Sequence, residues 1–304
     1  MKSLTNLFCF ALCAIFLAAC STSKPLTMNL DLEKGANFNY EVTSTNNIGM
    51  SFMGQDMSIN GQSLQDYNFV VKEVQPTGVT DIDFKIDRIT VDATVPMSEA
   101  ISYDSNNGDT NSPLGSLGGL IGKTMEASLD RSGTVTSIEG ADEMLKQVLG
   151  KVKGGEQMAS IVEGYIGEAA FKNTFATLTG FSQGKVLQVG DTWTKEADTK
   201  SGVALNTDYT YTIRERSGGK VTIDVTGESK SDPNSKPIEV QGMKMTYNLS
   251  GPVNGVIVVD EKTGWAITSD VQQDLAGKIT VGGTPLGDMN LDAKMKIGIA
   301  AKRK

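Results

Sequence analysis

The chain has 304 residues, 39% of them hydrophobic and 21% charged, with a formal net charge of −8, which is the composition of a globular protein. That acidic balance repels nucleic acid and anionic head groups, so no nucleic-acid partner is expected. Histidine is absent, which excludes serine–histidine and cysteine–histidine nucleophiles, histidine-ligated zinc and the usual general base near neutral pH.

Lys2 and the polar Ser3, Thr5 and Asn6 precede a wholly apolar run, residues 7–19, in the order of a secretory signal. The run is shorter than the roughly 20 residues a helix needs to span a bilayer. It ends Leu17, Ala18, Ala19, Cys20, which resembles the lipobox of bacterial lipoproteins. The resemblance implies cleavage between Ala19 and Cys20, diacylglycerol on the Cys20 sulfur, and acylation of the new amino terminus. Several acyl chains hold a protein on a membrane where one is marginal. The alternative is an ordinary cleaved signal that leaves Cys20 as a free thiol. Cys9 and Cys13 fall in the discarded segment, so a disulfide-free mature chain held by packing is expected.

The expected organisation is a signal peptide over 1–19, a lipidated cysteine and short tether over 20–27, and a single β-rich domain over 28–304. So short a tether keeps the domain near the membrane. Within the lipoprotein class, Ser21 after the cysteine, where Asp would retain the protein at the inner membrane, implies transport to the outer membrane. The absence of a following acidic run points to the periplasmic face.

From Asn37 onward apolar residues alternate with polar ones, as in Phe38, Tyr40 and Val42, then Tyr67, Phe69 and Val71, the period of half-buried strands. The set Ile82, Phe84, Ile86 resumes one place out of phase at Ile89, Val91, Ala93 and Val95, so a β-bulge or a bend is expected at Asp87 and Arg88. Residues 104–120 read as a loop with one helical turn after Pro113. Met144, Leu145, Val148, Leu149 and Val152 stand at helical spacing, and a second helical stretch is expected over 156–178. Alternation then returns at Tyr209, Tyr211 and Ile213, at Val221, Ile223 and Val225, at Met245, Tyr247 and Leu249, and over residues 289–299. Turn residues such as Gly218 with Gly219, or Asp232 with Pro233, separate these runs as in a meander.

The fold class expected is α+β, mainly β: a curved antiparallel, half-barrel-like sheet. It comprises a β half over 28–138, a central helical insert over 139–179 and a β half over 180–304. Leu32, Gly35, Phe38 and Glu41 echo Leu187, Gly190, Trp193 and Glu196, and the stretches DRSGTVTS and DEKTGWAITS are alike. The echo is either a relation between the halves or hairpin grammar common to both.

Ser182 with Lys185 and Lys262-Thr263-Gly264 match two fragments of penicillin-recognising enzymes, but the third is missing and the first follows a helix, so no catalytic residue is assigned. The loop 104–111 is rich in oxygen ligands, yet Gly115 stands where a calcium loop needs its last carboxylate. No metal or cofactor is expected. Met50, Met53 and Met57 lie close together and Met243 and Met245 share a later strand. Thioethers suit Cu(I) or an adaptable wall for an apolar ligand, and the latter is the site assigned.

The lipobox, the opening LDLEKGANFNYEVTST, the pattern SYDSNN…PLGSLGGLIGKTMEASLDRSGTVTSIEG and the later VLQVGDTWT together resemble a family of uncharacterised bacterial lipoproteins common in Bacteroidota. Its motifs are turn glycines and strand residues and carry over no catalytic residue. The expected function is non-enzymatic: an envelope lipoprotein, anchored to the outer membrane through Cys20, whose concave face binds a lipid or other apolar small molecule. The alternative is a structural or assembly lipoprotein that binds another envelope protein.

Overall fold

The computed structural model describes residues 26–52, 55–94, 99–108, 112–151, 162, 164–182, 184–199, 203–240, 243–283 and 287–304. After the short β1 (Leu26–Thr27), the first half consists of β2 (Asn37–Phe52), β3 (Gln55–Val74), β4 (Thr80–Thr94), β5 (Ile101–Asp104), β6 (Thr124–Leu129) and β7 (Val135–Glu139). Helices α1 (Ala141–Leu149) and α2 (Glu168–Thr179) follow. The second half has β8 (Val186–Leu187), β9 (Thr192–Thr199), β10 (Leu205–Ser217), β11 (Lys220–Ser231), β12 (Ile238–Val240), β13 (Met243–Asp260), β14 (Ala266–Gly282) and β15 (Met289–Arg303).

Among the described residues one antiparallel sheet runs β7-β6-β4-β3-β2-β15-β14-β13-β11-β10-β9, with β5 on β4 and β12 on β13. It curves strongly but is not closed, ending at β7 on one side and β9 on the other. Each half is a meander, and they join where the last strand, β15, pairs with β2. Arg303 seals that seam: its guanidinium lies 4.9 Å over the Phe38 ring, donates to the Tyr40 hydroxyl (3.1 Å) and pairs with Asp260 (3.3 Å).

Alternation decides which face is inward. In β3 the odd positions Ser63, Gln65, Tyr67, Phe69 and Val71 are buried, and the residues between them are less so. The expected bulge is present: Asp66 pairs with Arg88 and Tyr67 with Ile86, so Asp87 is the extra residue and both Ile86 and Ile89 stay inward.

The insert covers this face. In α1, Ala141, Met144 and Val148 are buried, and Asp142 and Glu143 sit favourably at its positive end. In α2, Phe171 and Phe175 meet Phe84 edge to face, each with centroids 5.3 Å apart, and Phe175 also meets Phe69 at 5.3 Å. The single helix expected over 156–178 is interrupted. Residues 164–166 are helical, but Gly167 turns extended (ψ 160°) and caps α2; residues 152–161 lie outside those described. After Pro113 the expected turn is a short 3-10 helix, Gly115–Leu120, that buries Leu117 and Leu120.

The internal echo is structural. Gly35 N–H donates to Val71 O and Val71 N–H returns to Ala36 O; Gly190 N–H donates to Ile213 O and Ile213 N–H returns to Asp191 O. Gly35 and Gly190 hold φ of 82° and 94°, which a side chain resists, so the same glycine opens both halves. The hairpin turns also match. Asp130 accepts from Ser132 and Thr134 N–H as Asp260 does from Lys262 and Thr263, and Gly133 and Gly264 each donate back to the aspartate carbonyl.

The segment after β1 ties these equivalent corners together. Leu26 pairs with Leu187, Leu30 N–H donates to Arg131 O in the first turn (3.0 Å), and Asp31 N–H donates to Thr263 O in the second (3.0 Å). Ser182 Oγ donates to Met28 O, and Lys262 pairs with Glu33 (2.8 Å). The fragments that resembled penicillin-recognising motifs therefore hold this strap.

Candidate ligand cavity

The strand register places residues in rows across the concave face. One row runs Trp193, Tyr211, Val225, Gly255, Val271 and Ile299; the next runs Lys195, Tyr209, Gly227, Val253, Gln273 and Ile297. Both rows carry a glycine at an inward position in the middle of the sheet. A Cβ on Gly255 would stand 2.5 Å from Asp270 O and 2.9 Å from Val271 Cα, so glycine is what lets neighbouring backbone approach as the sheet coils.

A cavity of 510 Å³ lies between these rows and α2. Its floor is Val271, Met295, Ile297 and Ile299, one wall is Tyr209 and Tyr211, and Ala176 and Thr177 of α2 form the cover. Thr134, at the start of the β7 edge, and residues 195–199 of the β9 edge border it, so the hollow lies at the gap between the edges of the sheet. Volume and apolar lining are those of a small-molecule site.

Polar groups also line the cavity, among them Lys172, Lys195, Glu196, Asp198, Ser269 and Gln273. Lys195 is half-buried and donates from Nζ to Gly180 O (2.6 Å), the carbonyl that ends α2, where a cation suits the helix dipole. Burial pulls its ammonium below the usual lysine range, and the Asp130 carboxylate opposes that shift. Burial also raises the phenols of Tyr209 and Tyr211. Gln273 Nε2 donates to the Tyr209 hydroxyl (3.4 Å), but Gln273 Oε1 and Ser269 Oγ are buried with no protein partner. Thr207 and Ser229, deeper in the same half, satisfy each other at 2.5 Å.

Of the residues the sequence assigned, Ala19, Cys20 and Met53 lie outside those described. Met50 and Met57 are cross-strand partners, both half-buried and inward. Met50 and Met245 pack against a second apolar cluster that includes Leu249 and Leu291, and Met243 opens β13 opposite Val240. The methionine in the cavity lining is Met295, and Met50, Met57 and Met245 are not part of it. Lys195 and the two tyrosines were visible in the sequence only as strand residues; the echo, which sets Lys195 at the place of Tyr40, is the signal that could have found them. Among the described residues no group of three or more carboxylates or cysteines is placed to hold a metal ion. Asp104, in the loop considered for calcium, pairs with Arg88 and caps Asn106.

A family of unknown function, DUF6263, matches residues 77–266. The chain belongs to this family. The DUF6263 match takes in α2, Lys195, Tyr209, Tyr211 and Ile257, and so most of one side of the cavity. No curated protein matches the chain in sequence. Among solved structures similar to this DUF6263 member is lipovitellin, from a study of its lipid–protein interactions. The identity is 12% and the TM-score 0.47, over 90% of this chain but only 25% of that one. DynF, from the dynemicin biosynthesis pathway of Micromonospora chersina, is 6% identical with a TM-score of 0.21, covering 91% and 85% of the two chains. The translocator domain of the Neisseria meningitidis autotransporter NalP is also 6% identical with a TM-score of 0.21, over 89% and 90%.

Proposed function

We propose that the protein is a non-enzymatic envelope lipoprotein, anchored through Cys20, that holds a lipid or other apolar small molecule in the hollow beneath α2. The observation that carries this reading is the cavity itself: an apolar floor and a tyrosine wall, with unsatisfied buried oxygens at Ser269 and Gln273. A hollow of this kind costs stability unless it is used. The rival, docking of another envelope protein, draws support from the open edges β7 and β9. Edge β9 nevertheless carries Lys195, Glu196 and Asp198, charges that discourage strand addition, so the cavity leads.

Extraction of the purified protein and mass spectrometry tests the reading. One bound apolar species near equimolar amount is expected from the native protein, and its loss from Ile297→Trp, which fills the floor. A native protein that carries nothing and takes up no apolar probe sinks the proposal. Separately, Cys20→Ser is expected to move the protein out of the membrane fraction.

A further inference from the structure

The hollow has an apolar floor and is bordered by polar residues, Lys172, Glu196 and Asp198 among them, and Lys195 stands at one end of one row. The equivalent position in the first half is Tyr40, a buried ring whose hydroxyl donates to Ala266 O. Exchanging that ring for a lysine both opens space and puts a cation beside it.

The Asp130 carboxylate favours the charge on this lysine but does not pair with it directly. Lys195 donates its one hydrogen bond to Gly180 O, and among the described residues no carboxylate forms an ion pair with it. The Oδ1 of nearby Asp130 is already occupied by Ser132 and Thr134 of its own turn. Glu196 and Asp198 on the same strand border the cavity too, but they alternate with Lys195 and are exposed. Lys172 also borders the cavity, but Glu168 neutralises it at 2.6 Å. An ammonium has three donors, so two N–H groups of Lys195 lack an acceptor among the described residues. A half-buried, unpaired charge is costly, and an anion that arrives with an apolar tail removes that cost.

Resting on the cavity reading above, we infer that the ligand is a single-chain anionic amphiphile, a long-chain carboxylate whose head group binds Lys195 and whose tail runs over Val271, Ile297 and Ile299. One unpaired cation matches the one charge of a carboxylate, whereas a phosphate would call for a second. A volume of 510 Å³ suits one alkyl chain.

Protein stripped of bound lipid is titrated with cis-parinaric acid and with its methyl ester, which share a tail and differ in charge. The acid is expected to bind about tenfold tighter or more, the worth of a charged hydrogen bond in a partly dry site. Lys195→Met should erase that preference by weakening the acid alone, and Lys195→Arg should keep it. Equal binding of acid and ester, or a preference that survives Lys195→Met, overturns the inference and leaves the apolar cavity standing. Binding of neither probe overturns the cavity reading itself. The ratio in the unmutated protein decides alone if Lys195→Met does not fold.

Discussion

Set side by side, the two halves are one scaffold filled in two ways. The row that opens the first half runs Phe38, Phe69, Phe84, Met125, every member buried; its counterpart runs Trp193, Tyr211, Val225, Gly255. The row below it runs Tyr40, Tyr67, Ile86 against Lys195, Tyr209, Gly227. Against the first half Trp265, from the β13–β14 turn, stacks on Phe38 at 4.9 Å, and α2 inserts two phenylalanines. Volume falls away along each row of the second half, and α2 presents Ala176 and Thr177 there instead. An open curved sheet is therefore not hollow by nature. Where Val225 and Lys195 line the hollow, the related half shows that the larger Phe84 and Tyr40 fit.

Deleting a ring from each half is the harshest test. Phe69 is wholly buried and touches Tyr67, Phe84, Phe175 and Trp265, so Phe69→Ala should cost about 3–5 kcal/mol in urea unfolding. Tyr211 already borders open space, and Tyr211→Ala should cost about 1–2 kcal/mol less. Equal losses would mean that the second half is as tightly packed as the first.

Crowding the sheet beside the hollow is the converse. Gly255→Val must push against Asp270 O and Val271, the latter a cavity-lining residue, and about 1–3 kcal/mol of destabilisation is expected. Gly61 is also a strand glycine, but its nearest neighbour to an added Cβ is Asn46 O at 3.8 Å, so Gly61→Ala should stay within about 0.5 kcal/mol of the parent. If both substitutions behave alike, close backbone approach is not what Gly255 provides.

These contrasts explain what the sequence could and could not disclose. Alternation reports a strand's own faces, which is why the strands, the bulge at Asp87 and the curved mainly β architecture were legible. The echo was legible too, although only the paired bonds of Gly35 and Gly190 distinguish a repeat from hairpin habit. The β15–β2 seam was not, because it joins residues at opposite ends of the chain and no local pattern encodes that pairing. Nor was the hollow. Lys195, Tyr209 and Gly227 become one row only once register is known, whereas methionines draw attention by type and say nothing of the row they occupy. Ser182 and Lys262 looked chemical because short motifs ignore context; both hold the amino-terminal strap.

Polar atoms give a gentler comparison. Ser229 shares a hydrogen bond with Thr207, so Ser229→Ala leaves a buried hydroxyl unpaired and should cost about 1 kcal/mol. Ser269 Oγ, in the cavity wall, has no protein partner. Ser269→Ala should be neutral or stabilise the empty protein by up to about 1 kcal/mol. Thermal unfolding of lipid-free protein reads both, and a large loss from Ser269→Ala would mean that its hydroxyl is already satisfied.

The smallest effect expected is electrostatic, and here the halves should behave alike. Arg88 pairs with Asp104 in the first at 2.8 Å, and Arg216 pairs with Glu261 in the second. The hydrogen bond from Arg88, with that from Asn106 N–H, holds the Asp104 carboxyl below its usual range, and the bond from Arg216 does the same for Glu261. A carboxyl whose folded pKa is depressed stabilises the fold at any pH above its unfolded value, near 4, and loses that contribution as pH falls through the folded value. The side chains remain 16–37% exposed, so solvent screens each pair to about 1 kcal/mol or less. Arg88→Met and Arg216→Met should each lower stability by that amount at pH 7 and flatten its decline below about pH 4. Added salt should narrow the gap to the parent. Of the two, Arg216→Met should show the larger loss, because its guanidinium is the less exposed. A variant that weakens stability equally at pH 7 and pH 2.5 would show that the arginine acts through packing of its stem and not through the carboxylate it faces.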